Sequence, residues 1–295
     1  MSLPRDAAPE AAGPLGGYGL LGADVRAGAL GEPPGDPLVD ERDSERLVRL
    51  VADRRTAQLD VAGRLGFQVD DGSRVVVAAA PGTDDAEVAM WLHGTVAALV
   101  LGQQGRTALH ASTVAVGEGA VAIAGRRDAG KSTTALELRR RGHRLVTDDV
   151  SPVDPVAGGR PMVVPFGRAL HVWPETAERL GVDVGDAPPV AAASAKLSVP
   201  VTTEEGAELT HVVVLDPAAG VAEVGSIRVT GAEAVTMVGA NAYRVEVISR
   251  LWPAELFRWT TWLPTVVAVH VVRRPEEGWS VTEVVNTIET LVAGG

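Results

Sequence analysis

Residues Gly125-Arg126-Arg127-Asp128-Ala129-Gly130-Lys131-Ser132 carry the spacing G-x-x-x-x-G-K-[ST], with Thr133 next in line. That spacing suits a grip on a nucleoside triphosphate. Backbone N–H groups of a glycine loop and of the following helix N-terminus face phosphate oxygens, a lysine reaches the β and γ phosphates, and a hydroxyl ligates magnesium. Lys131 and Ser132 take the last two roles. Asp128 departs from the usual loop, since it puts a carboxylate close to the phosphates where a small residue is common. Aspartate tolerates left-handed backbone, and Arg126 or Arg127 is placed to screen its charge.

The elements around the loop must position this chemistry. The apolar run "AVAIA" before it reads as a strand, and the segment from Lys131 to Arg141 reads as a helix rising about 15 Å, with Gly142 as its C′ residue. The strand from His143 to Asp148 travels roughly 17 Å. If it runs back parallel to the first strand, it brings Asp148 and Asp149 beside the phosphates. Paired acids at that edge can hold magnesium and accept a proton from an attacking hydroxyl. Neighbours in a strand face opposite sides, so the two acids should divide these jobs.

Ahead of the loop, "TALHASTVAVGEGAVAIAG" reads as an antiparallel hairpin with its tip at Gly117-Glu118-Gly119. In that register His110 lies opposite Gly125, at the mouth of the loop, as donor to a phosphate or partner of the catalytic acid. His93, within an apolar helix, is read as structural.

These residues resemble the HPr kinase/phosphorylase catalytic domain and, more closely, its relatives in peptide-modification gene clusters, including lasso-peptide clusters. The matching run is "LHASTVAVGEGAVAIAGRRDAGKSTTALELRRRGHRLVTDDV", and a weaker likeness extends over about residues 55 to 292. The resemblance implies a mixed α/β P-loop core related to phosphoenolpyruvate carboxykinase, with an antiparallel hairpin ahead of the loop. It implies ATP and Mg2+ as cofactors, Asp148 as base toward a serine hydroxyl, Lys131 on the phosphates, Ser132 and Asp149 on magnesium, and His110 at the γ-phosphate. No "LEIRG"-like segment follows the paired aspartates, which points to a kinase without phosphorylase activity.

On the acceptor side Arg168 and Lys196 are cations between apolar runs, placed to neutralise a transferring phosphoryl group or hold a peptide carboxylate. Trp252, Trp259 and Trp262 share one face of a helix expected over 246 to 262, with core packing as the explanation and a peptide groove as the alternative.

The bulk properties narrow the class. The 295-residue chain carries 27 Lys plus Arg against 38 Asp plus Glu, a net charge of -11 that argues against sequence-independent nucleic-acid binding. It has no cysteine, so thiolate chemistry and cysteine-zinc sites are excluded. No signal pattern opens it, and its longest charge-free apolar run is shorter than the roughly 20 residues a bilayer needs, so the expectation is a cytoplasmic chain with no membrane partner. Residues 1 to 40, rich in Ala, Gly and Pro, read as a flexible or loosely docked tail, and 41 to 295 as a single domain in which a β unit and buried helix (55–104) precede the core (105–295). Monomer and homo-oligomer are both compatible with the sequence. The functional expectation is an ATP-dependent kinase of a serine hydroxyl on a peptide or small protein. A kinase of a small hydroxylated metabolite and a non-catalytic nucleotide-binding regulator are the alternatives.

Overall fold

Alternating β-formers between residues 56 and 79 form three antiparallel strands, β5 (Thr56–Val61), β6 (Leu65–Asp70) and β7 (Arg74–Ala79). Asp71 and Gly72 adopt φ of 51° and 62° and close the tight reversal of β6 into β7. The computed structural model describes residues 18–43, 47–167, 169–190, 195–201 and 205–294. Where one domain was expected, contacts divide the chain into two compact units, 1–106 with 246–256 and 107–245 with 257–295.

The first unit also contains β1 (Tyr18–Leu20), β2 (Ala23–Ala27), β3 (Val39–Asp43) and β4 (Val48–Ala52), giving among the described residues a seven-stranded sheet of order β1-β2-β7-β6-β5-β4-β3. Residues 1–17 of the expected tail lie outside the described residues. From residue 18 the structure differs from that expectation. β2 pairs in parallel with β7, and Leu20, Ala23 and Val25 are buried, an alternation too short to stand out among the surrounding Gly and Pro. Asp84 caps helix α1 (Asp85–Trp91) by accepting from the Ala86 N–H at 3.0 Å, as its position predicts. The helical path bends at Gly94 before α2 (Ala97–Gln103).

In the second unit β8 (Ala108–Val116) and β9 (Gly119–Gly125) form the predicted hairpin, with Val116 opposite Gly119 and Ala111 opposite Ala124. Helix α3 (Lys131–Arg140) follows the loop. It ends with Gly142 at φ 96°, the Gly142 N–H donating to the Arg139 carbonyl and the His143 N–H to that of Leu138, a Schellman stop. Strand β10 (Arg144–Thr147) pairs antiparallel with β8, not with β9. Since β8 is itself antiparallel to β9, β10 runs in the direction of β9 with β8 between them, and the chain returns to the loop edge.

The sheet continues through β11 (Val150–Asp154) and β12 (Met162–Val163). A separate pair, β13 (Ala169–Val172) and β14 (Leu197–Pro200), flanks helix α4 (Pro174–Leu180), which Pro174 opens and Gly181 closes. β15 (Ala207–Ala218) lies between β9 and β17 (Ala268–Pro275), parallel to both, and β16 (Gly225–Val229) forms the antiparallel edge.

Helices α5 (Gly231–Ala240), α6 (Val245–Leu251), α7 (Pro253–Val266) and α8 (Val281–Ala293) complete the chain. The single helix expected over 246 to 262 is broken before Pro253, whose ring displaces the carbonyl of the preceding turn and which has no N–H to donate. Trp252 and Trp259 are buried, in keeping with core packing. The core on one face of the sheet joins Leu136 and Leu138 of α3, Val284, Val285 and Ile288 of α8, and Ile123, Val213 and Leu215 of the sheet. No helix among the described residues is long and apolar enough to cross a membrane.

His211 on β15 and His270 on β17 are buried side by side, with ring centroids 5.7 Å apart. Burial lowers the pKa of both; the His270 ring and the Arg160 and Arg228 charges add to it at His211, and Arg228 at His270. Folded values below the unfolded one mean that the unfolded chain binds more protons. The stability from keeping these rings neutral is complete above the unfolded pKa near 6.5 and is lost as pH falls below it. Thermal midpoints should therefore drop from about pH 7.5 to about pH 5. The double variant His211→Gln, His270→Gln should flatten that slope in a thermal unfolding series.

Candidate active site

The loop adopts the backbone its residue types permit. Gly125 and Gly130 take φ of 138° and 104°, and Asp128 takes the left-handed φ of 62° anticipated for it. Gly130 caps α3 with no side-chain hydrogen bond, leaving the first-turn N–H groups of Lys131, Ser132 and Thr133 directed out of the helix end. Ala129 is fully buried and its carbonyl accepts from Nε and Nη2 of Arg274 at 3.2 and 3.0 Å, so a cation from the end of β17 holds the loop.

Of the two arginines, Arg127 lies 3.7 Å from the Asp128 carboxylate, both exposed, while Arg126 donates to Glu276 at 3.0 Å and to the Pro217 carbonyl. A Cβ at Gly125 would stand 2.7 Å from the Leu215 carbonyl. Gly125→Ala should therefore lower stability by about 1–3 kcal/mol from backbone strain and more from the clash, and weaken triphosphate binding. Chemical denaturation beside nucleotide titration checks both.

Lys131 Nζ sits over the loop rim, donating to the Gly125 carbonyl at 2.9 Å and to that of Arg126 at 3.3 Å. Burial lowers its pKa and Lys196 acts the same way, while Asp149, Asp148 and Asp128 oppose the shift. Lys196, half-buried at the start of β14, stacks its ammonium 5.3 Å from the Trp173 ring. Arg168 lies outside the described residues.

The two aspartates face opposite ways. Asp148, level with Ser112 across β8, accepts from Ser112 Oγ at 2.5 Å, from Ser132 Oγ at 3.2 Å and from the His171 backbone N–H at 3.0 Å. Asp149 turns away with φ 67°, its Oδ1 at 3.1 Å from His110 Nε2 and its Oδ2 at 3.4 Å from the Tyr243 hydroxyl. Ser132 thus meets Asp148 rather than Asp149. The left-handed turn at Asp149 breaks the strand and swings that carboxylate to the imidazole. Loss of solvation raises the Asp149 pKa, but the hydrogen bond and charge of His110, with the charges of His171 and Lys131, outweigh it and leave the carboxyl below its ordinary value.

Several contributors come from far along the chain. The Asn241 carbonyl accepts from the His110 N–H at 2.8 Å and its Oδ1 from the Gly125 N–H at 2.9 Å, so one residue spans the mouth of the hairpin. Tyr243 packs edge-on against His110 with centroids 5.6 Å apart, and burial followed by the Asp149 charge pushes its phenol well up. Asn241 at a helix end reads as an ordinary stop, and only the polar cluster "NAYR" between apolar helices hinted at more.

No family model matches the chain. One stretch of 52 residues is 48% identical to the HPr kinase/phosphorylase of Clostridium beijerinckii, covering 18% of this chain and 17% of that protein. Another match, of 64 residues, is 45% identical to the HPr kinase/phosphorylase of Clostridium perfringens strain SM101, covering 21% of each. Over these two stretches the chain is similar to HPr kinase/phosphorylases. It spans about a fifth of the length of the curated relatives it matches. The Hpr(Ser) kinase/phosphatase from Coxiella burnetii aligns at 16% identity and a TM-score of 0.33, covering 63% of this chain and 94% of that one, a likeness too slight to argue from.

Proposed function

We propose that this site transfers the γ-phosphoryl group of ATP to a serine hydroxyl of a peptide or small protein, without the reverse phosphorylase reaction. The observation that carries the reading is the division of two adjacent carboxylates at the mouth of a phosphate loop, one on Ser132 and the other on His110. The HPr kinase-like stretches support the same reaction class.

Magnesium fits the donor set. A loop serine hydroxyl within hydrogen-bond reach of a strand-end aspartate is the pairing that P-loop phosphotransferases use for the ion, so Ser132 and Asp148 would hold it with the phosphates. The bound ion supplies charge neutralisation on the β and γ oxygens. The chain's own residues do the rest. First-turn N–H groups of α3 and Lys131 orient the triphosphate. Asp149, fixed by His110 and Tyr243, accepts a hydrogen bond from the acceptor hydroxyl and aims its oxygen in line with the γ-phosphorus. The acceptor O–H breaks, its oxygen bonds to phosphorus, the β–γ bridge breaks to release ADP, and the proton passes to the Asp149 carboxylate. Because that carboxylate is a weak base, proton transfer comes late. Lys196, whose charge acts on Lys131, is the cation assigned to the acceptor in this reading.

Incubation with Mg-ATP against parallel panels of serine-containing peptides and small hydroxylated metabolites tests the acceptor class. Phosphate should appear on peptides; incorporation into metabolites alone would remove the peptide assignment.

A further inference from the structure

Beside the phosphate loop, on the sheet face opposite α3, the second unit holds a half-open cavity of about 260 Å³ that the mechanism above does not use. We propose that it seats the heterocyclic base of the donor nucleotide, an inference resting on the reading of residues 125–133 as the triphosphate grip.

Position is the first argument. Arg126, the loop residue after Gly125, lines the cavity, and Leu215 beside it pairs in register with Gly125. The space therefore begins where the phosphates would end. Val213 and Leu215 pack into the α3 core, so Val214 between them points to the other face and into the cavity.

Size and lining are the second. The volume falls short of the roughly 300–1,000 Å³ that encloses a drug-sized ligand, so the cavity takes part of a ligand whose remainder lies elsewhere. Val214, Val229, Met237 and Val271 give it apolar walls, which suit the two faces of an aromatic ring. Its rim is polar. Arg273 Nε donates to Asp216 Oδ2 at 3.0 Å, and Glu233 stands at the exposed edge. The Asp216 and Glu233 carboxylates can accept from the exocyclic amine of a base, while Arg126, the lining cation that belongs to the phosphate loop, stands on the phosphate side, which orders the ligand with base in the cavity and phosphates on the loop.

The test compares ATP with inorganic tripolyphosphate, which can occupy only the loop. Magnesium is present, and titrations use the full chain, Val214→Phe, which fills the cavity, and Ile227→Trp, which places bulk at its mouth from a side chain 58% exposed. The full chain should bind ATP at least about tenfold tighter than tripolyphosphate, a difference of roughly 1.4 kcal/mol. Both variants should lose that margin with tripolyphosphate affinity unchanged. If Val214→Phe lowers the thermal midpoint, Ile227→Trp decides, because its site is at the surface. Equal affinity for the two ligands in the full chain, or ATP affinity retained in Ile227→Trp, overturns the proposal while leaving the phosphate grip standing. Binding of neither ligand removes the grip and the cavity assignment together.

Discussion

Asp149→Asn lowers kcat for phosphoryl transfer by roughly 10²–10⁴, the range of a positioned proton acceptor, and leaves ATP affinity little changed. The amide keeps the size of the carboxylate but cannot take the hydroxyl proton, and it meets His110 with a weaker acceptor. Asp149 contacts His110 and Tyr243 and not Ser132, so its link to the triphosphate grip is the through-space attraction to Lys131. Asp148→Asn gives the contrasting result. It disturbs the carboxylate that accepts from Ser112, Ser132 and the His171 N–H, and so raises the magnesium concentration needed for half-maximal rate. Rapid-quench rates and a magnesium titration on both variants separate the two roles. A magnesium shift in Asp149→Asn together with lost proton transfer in Asp148→Asn would reverse the assignment. Because His110 and its neighbours hold the Asp149 pKa below the ordinary carboxylate value near 3.9, the pH profile of kcat/KM should show no acid limb from this group above about pH 4.

Lys131→Met removes both binding and rate. The ammonium reaches over the loop rim, and although burial lowers its pKa, Asp149 and Asp148 act against the shift. A hydrogen bond to a charged group is worth about 1.5–3 kcal/mol, which predicts ATP binding weaker by roughly 10- to 150-fold. Loss of a cation from the γ-phosphate should cost a further factor of roughly 10²–10³ in kcat, the size seen when one charge-stabilising donor is removed. Calorimetric titration and initial rates measure the two losses separately. A variant that binds ATP normally would place the triphosphate elsewhere.

Local rules made much of this site legible in advance. The glycine tip fixed the hairpin register that sets His110 opposite the loop, the left-handed tolerance of aspartate foretold the backbone at Asp128, and Gly142 marked the helix stop that turns the chain back. What escaped was set by long-range packing. Asn241 reaches Gly125 across 116 positions, and Tyr243 reaches Asp149 across 94. No periodicity encodes either contact. Asp149 takes a left-handed φ of 67° after β10 ends, a local departure from strand geometry, so strand alternation predicted that the acids separate but not which of them meets Ser132. The first-unit strands β1 and β2 were hidden for the opposite reason. Their apolar residues are few, and pairing with β7 supplies what their composition lacks.

Intact-mass analysis of a serine-containing peptide, incubated with the purified chain, magnesium and γ-labelled ATP, tests the central claim most directly. The account predicts one labelled phosphate on the acceptor hydroxyl with the full chain and none with Asp149→Asn, while both bind ATP. Label transferred equally well by Asp149→Asn, or ATP bound tightly with no transfer to any hydroxyl acceptor, would contradict it.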